Sequence, residues 1–175
     1  MTDETRSGQL TGVIERMPKD SVLIFRHYGI TDRALAARQV VRACHKRHIR
    51  CLIAADALLA RRCKADGVHL PEHMLRGAPV RRFAPIGWWV TGAAHCRASV
   101  RRAQSRNLTA VLLSPVFASR SHPEGKLLGT LAFATIAHST RIPLIALGGV
   151  HPHHFRRLAA AGACGVAGID LFSPT

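Results

Sequence analysis

Short apolar runs alternate along the chain with longer segments whose apolar residues recur at helical spacing. The runs are Val22 to His27, Cys51 to Ala55, Gly67 to Leu70, Trp88 to Ala94, Ala110 to Val116, Leu144 to Gly149 and Gly165 to Leu171. Most are continuously apolar and do not alternate with polar residues, as expected of parallel strands covered on both faces. Between them, Asp32 to Arg47, Leu58 to Lys64, Cys96 to Arg106, Leu131 to Ser139 and His153 to Ala161 predict amphipathic helices. Asp32, Ser99 and Thr130 stand near helix starts, where a side-chain oxygen accepts free N–H groups. Gly162 follows the last helix, a position that favours the left-handed conformation. The pattern predicts an α/β chain built as a βα repeat on a parallel sheet. Seven strands are visible in this pattern, whereas a (β/α)₈ barrel has eight and commonly spans about 250 residues. A doubly wound open sheet is the generic alternative, but the G-x-G-x-x-G and Walker A signatures of its nucleotide-binding versions are missing.

Composition narrows the classes. At 175 residues and 19.0 kDa, with 47% apolar and 20% charged residues, the chain reads as a single globular domain over 1–175, with 1–20 a partial or irregular N-terminal segment. No apolar run reaches the roughly 18 residues of a membrane helix, and no signal-like apolar block opens the chain, so the prediction is a cytoplasmic protein without membrane association. Five cysteines, Cys44, Cys51, Cys63, Cys96 and Cys164, form no C-x-x-C pair, and they read as reduced, mostly buried thiols. The net charge is +15, from 21 Arg and 4 Lys against 10 acids. Such a surplus suits an anionic partner. Yet the pairs Arg61-Arg62, Arg81-Arg82, Arg101-Arg102 and Arg156-Arg157 are scattered, and only nine aromatic residues are present, with no nucleic-acid-binding signature. The charge reads mainly as composition, and nucleic acid is disfavoured as a partner.

In βα barrels the active site lies at the carboxyl ends of the strands, and the last two loops commonly cradle a phosphate. Here the last two strands run into Leu147-Gly148-Gly149-Val150 and Gly165-Val166-Ala167-Gly168-Ile169-Asp170, where glycines let backbone N–H groups approach an anion. Gly67-Val68-His69-Leu70, Ser114-Pro115-Val116-Phe117, Ile142-Pro143-Leu144-Ile145-Ala146-Leu147-Gly148-Gly149-Val150 and Gly162-Ala163-Cys164-Gly165-Val166-Ala167 follow in that order. Together they resemble the thiamine phosphate synthase/TenI family over roughly residues 20 to 173.

The resemblance implies a (β/α)₈ TIM barrel and a transferase that joins a pyrimidine pyrophosphate to a thiazole phosphate, releasing pyrophosphate with Mg²⁺. It places Arg26 on the pyrophosphate and Ser119, Ser121, Gly149, Gly168 and Ile169 around phosphate oxygens. His122 stands where the family has a lysine, as a weaker, pH-dependent cation. Of the family's Asn-Asp pair only Asp56 is left as a metal ligand, and the second metal-binding Asp falls on Met74, with Glu72 nearby. His69 and His95 match family histidines and are read as structural. Other departures are Ala93 for Ser, Asp170 for Ser, Ile24 for Gln and Tyr28 for Lys. Pro115 is retained where the thiazole tautomerase branch has a catalytic His, which argues against that branch. His151, His153 and His154 read as a solvated helix start rather than a metal site, and Cys96 beside His95 faces away from it on a helix.

The resemblance also sets Met1 at the end of the family's first strand, so the expected barrel lacks strand one in this chain; the expectation is that the start was assigned too far downstream or that the sequence is a shortened one. Two readings follow. One is a thiamine phosphate synthase-like enzyme; the other is a non-catalytic or regulatory paralogue that binds a phosphorylated small molecule, favoured by the eroded Mg²⁺ site.

Overall fold

The computed structural model describes residues 1–3, 10–77, 84–119, 127–169 and 171. Two compact units emerge, one of Met1–His69, Ala84–Trp89 and Ile169–Thr175, the other of Leu70–Phe83 and Val90–Gly168.

In the first unit, helix α1 (Leu10–Arg16) precedes strand β1 (Val22–Phe25), helix α2 (Arg33–Lys46), strand β2 (Arg50–Ala54), helix α3 (Ala57–Arg62) and strand β3 (Gly67–Leu70). The strands pair in parallel and in chain order, with Leu23 opposite Cys51 and Ile53 opposite Val68. Residues 1–3 run beside β1: the Thr2 N–H donates to Ile24 O at 2.9 Å, and the Arg26 N–H donates to Thr2 Oγ1 at 2.9 Å. Helix α2 forms because Ala37, Val40, Val41 and Cys44 recur at helical spacing and are all buried. As expected, Asp32 caps it, accepting the Leu35 N–H at 2.8 Å. The core joins Leu23, Phe25, Val41, Ile49 and Ile53 to Ile14 and Met17, and burying a side chain such as Phe25 contributes about 1.5–3 kcal/mol.

Helix α1 lies within the segment 1–20, which the sequence reads as partial or irregular. Its signal was present, since Leu10, Val13, Ile14 and Met17 stand at i, i+3, i+4 and i+7, and Ile14 and Met17 are buried.

The second unit contains a 3₁₀ turn (Glu72–Arg76), strand β4 (Trp89–Ala94), helix α4 (Arg97–Ser105), strand β5 (Ala110–Leu113), helix α5 (Gly129–His138) and strand β6 (Leu144–Leu147). A 3₁₀ turn (Pro152–His154), helix α6 (Phe155–Ala160) and strand β7 (Gly165–Ala167) complete it. Strands β4 to β7 are parallel and in chain order. Gly92 is needed here because a Cβ would lie 2.9 Å from Leu108 Cδ1 and 3.0 Å from Leu75 Cδ2, both in the core.

Strands end sooner than the apolar runs suggest. β5 stops at Leu113 and β6 at Leu147, because Pro115 has no N–H to donate and Gly148 and Gly149 have φ of +91° and +61°. Gly162, with φ +87°, follows α6 as expected. Ser99 lies inside α4, where its hydroxyl accepts the His95 and Cys96 N–H groups at 3.2 Å each. Thr130 does not cap: it lies within α5, and its buried Oγ1 has no partner among the described residues. Cys44, Cys51 and Cys63 are buried free thiols, but Cys96 and Cys164 are exposed. No described helix is long and apolar enough to cross a membrane.

Candidate functional site

Within each unit the candidate residues follow the carboxyl ends of the strands. In the first unit Arg26 directly follows β1, half-buried, and its Nη1 lies 3.3 Å from Met1 Sδ. His69, in β3, is only 3% exposed. Burial, then the charges of Arg26 and the amino terminus, push its pKa down to about 3, so its ring stays neutral at physiological pH. A neutral, enclosed imidazole fits the structural reading of His69.

Asp56 stands two residues past β2 as the N-cap of α3. Its Oδ1 accepts the Leu59 N–H at 2.8 Å, and its Oδ2 lies 3.5 Å from Arg33 Nη1. Arg33 is a residue the sequence reading missed. Its Nε donates to His27 O at 2.8 Å and its Nη2 to Ala54 O at 2.7 Å, so one guanidinium ties the segments after β1 and β2 together. The available signal was a cation in the first turn of α2, where the helix dipole disfavours positive charge and a tertiary task has to offset that cost.

In the second unit the segment after β5 packs onto the end of β6. The Val116 N–H donates to Leu147 O and the Phe117 N–H to Gly148 O, each at 2.9 Å. A Cβ on Gly149 would lie 2.1 Å from Ala118 O, and one on Gly148 would lie 2.8 Å from Pro115 Cα. Only glycine permits this approach, and it sets the peptide before the half-buried Ser119 against Gly149. His154 stacks on Phe117 with ring centroids 4.0 Å apart. Burial, followed by His153, His151 and Arg157, lowers the His154 pKa. The His151 N–H donates to His154 Nδ1 at 3.2 Å, which makes the histidine run the opening turn ahead of α6, as expected.

After β4, His95 joins Ser114 and Glu72. Its Nδ1 lies 2.8 Å from the carbonyl oxygen of Ser114, which can only accept, so Nδ1 carries the proton. The His95 N–H donates to Glu72 Oε2 at 2.9 Å, and Arg102 Nη2 lies 3.8 Å from Glu72 Oε1. A hydrogen bond from Ser99 lowers the pKa of the neighbouring Cys96. Gly168 and Ile169, both half-buried, follow β7. Ser121, His122 and Asp170 lie outside the described residues.

A Mg²⁺ site needs several convergent oxygen ligands. Both carboxylate oxygens of Asp56 are engaged by Leu59 and Arg33, and Glu72 is committed to His95 and Arg102. Among the described residues no group of three or more His, Cys, Asp or Glu side chains could hold a metal ion. Among the described residues the donors do not assemble the expected site, and Asp56 caps α3.

A family model described as thiamine monophosphate synthase matches residues 2–172. A putative thiamine-phosphate synthase 2 of Aquifex aeolicus is 30% identical over 98% of this chain and 95% of its own length. A thiamine-phosphate synthase of Methanoculleus marisnigri is 36% identical over 61% of this chain and 51% of its own. Among solved structures, a thiamine phosphate pyrophosphorylase from Pyrococcus furiosus superposes with a TM-score of 0.77 at 16% identity, covering 97% of this chain and 83% of that one. This likeness shows the fold, the βα barrel type that the resemblance implied. With the model spanning nearly every residue, the chain belongs to the thiamine monophosphate synthase family.

Proposed function

We propose that the protein is a thiamine phosphate synthase-like transferase that joins a pyrimidine pyrophosphate to a thiazole phosphate and releases pyrophosphate, acting in the cytoplasm. The observation that carries this reading is the Gly148-Gly149 pair locked against the segment after β5, at a family motif position and at the strand end where barrels of this kind bind phosphate. In this reading the backbone at Gly149, Gly168 and Ile169 and the hydroxyls of Ser119 and Ser121 hold phosphate oxygens. Arg26 is the fixed cation for the departing pyrophosphate, and His122 assists when protonated. Charge that develops on the leaving group is best stabilised by groups oriented before the reaction, and the hydrogen-bonded backbone around Arg26 and Gly149 favours that role.

The test is to incubate the protein with both phosphorylated substrates and Mg²⁺ and to follow thiamine phosphate and pyrophosphate together. Equimolar products are expected, and Gly149→Ala should lower kcat/KM at least tenfold, because its φ of +61° and the 2.1 Å approach forbid a Cβ. The commitments of Asp56 and Glu72 favour a second reading, a paralogue that binds the thiazole phosphate without turnover. Tight thiazole phosphate binding with no product would replace the first reading with that one.

A further inference from the structure

The second unit carries an open surface cavity of about 480 Å³ at the amino ends of β5 and β6, beyond the residues discussed above. Arg101, Gln104 and Ser105 of α4, Asn107 of the following turn and Arg141 before β6 supply its polar lining, while Leu108 and Ile142 are its buried apolar lining. The wall is hydrogen-bonded in place: Gln104 Oε1 accepts the Arg141 N–H at 3.0 Å and also the Thr140 hydroxyl, which pins the segment before β6 to α4. Among the described residues no carboxylate pairs with Arg101 or Arg141. The shortage of acids is local to this region. Between Glu72 and Asp170 the chain has twelve Lys or Arg residues and a single acid, Glu124.

We infer that this cavity is a second ligand site for a small phosphorylated heterocycle. Two guanidiniums that no described carboxylate pairs suit a phosphate dianion, to which arginine can donate in pairs. The amides of Gln104 and Asn107 offer hydrogen bonds to a heterocycle, and Leu108 and Ile142 give its flat body an apolar seat. The volume lies in the range of about 300–1,000 Å³ usual for small-molecule sites. A nucleic-acid strand is the poorer match because no aromatic residue lines the cavity for base stacking. Gly148 and Gly149 follow the carboxyl end of β6 and the cavity adjoins its amino end, separated by four residues, or about 13 Å. The ligand would therefore bind without entering the phosphate cradle.

Adenosine 5′-monophosphate serves as the probe, with binding read by NMR titration of the full chain, so the result does not depend on turnover. The wild type and Arg26→Ala should bind it equally. The double substitution R101A/R141A, which changes two exposed side chains, should bind at least tenfold more weakly. Adenosine alone and inorganic phosphate alone should each bind at least tenfold more weakly than the nucleotide. Unchanged affinity in R101A/R141A would overturn the assignment, as would loss of binding in Arg26→Ala or phosphate binding as tightly as the nucleotide. Displacement of the nucleotide by a single-stranded oligonucleotide at lower concentration would assign the patch to nucleic acid and also overturn the inference.

Discussion

His69 shows how one side chain carries a measurable consequence of burial. Its folded pKa is held at about 3, against an ordinary value of 6.5. Between these values the unfolded chain binds a proton that the folded chain refuses, so stability is complete above pH 6.5 and falls as the pH drops toward 3. Thermal unfolding followed from pH 7 to pH 5 should show a decline in Tm, and His69→Gln should decline less steeply over the same window. Equal slopes for the two proteins would remove His69 from the account. The position of His69 in an apolar strand was plain in the sequence. Its enclosure beside Arg26 and the amino terminus was not, because those groups lie more than forty residues away along the chain.

At the scale of elements, the short helices depend on their first residues. Helix α3 has only six residues and two buried side chains, Leu59 and Ala60, so Asp56 contributes a large share of its definition. Asp56→Ala should cost about 1 kcal/mol, or roughly 2–4 °C in Tm for a chain of this size. Asp56→Asn should lose much less, because asparagine caps as well as aspartate and the Arg33 pair is partly solvated. A chain in which Asp56→Ala melts like the wild type would overturn the capping role. Asp56 could be picked out from sequence as a polar residue after a strand. Whether it would face a metal or its own helix depended on the backbone, which turns at Ala55 with φ +62° and brings the Leu59 N–H onto its carboxylate. The strands were legible from their apolar runs to within a few residues, except at carboxyl ends such as those of β5 and β6. There the residues remain apolar, but proline and left-handed glycines take the chain out of the ladder.

For the whole molecule the dominant number is the charge of +15. Charges of one sign repel in the compact state, and the Debye length falls from about 20 Å at low salt to about 6 Å at 0.3 M. Raising sodium chloride from 20 mM to 300 mM should therefore increase Tm by several degrees, as measured by differential scanning fluorimetry. A flat or falling Tm would show that the cationic surface is already neutralised by its own geometry. Part of this charge has local employment: Arg33 bridges two strand ends, Arg102 pairs with Glu72, and Arg50 lies 4.9 Å over the ring of Trp89.

Sequence alone determined the βα order, the parallel strands and the family, because each rests on local periodicity or on short motifs whose order survives divergence. Tertiary structure decided what individual side chains do there. It made Asp56 a cap, gave Arg33 a bridging task, neutralised His69 and fixed Gly149 under Ala118. Each of these depends on partners brought close by strand pairing or by the backbone path of a turn, and a linear pattern records neither distance nor dielectric surroundings.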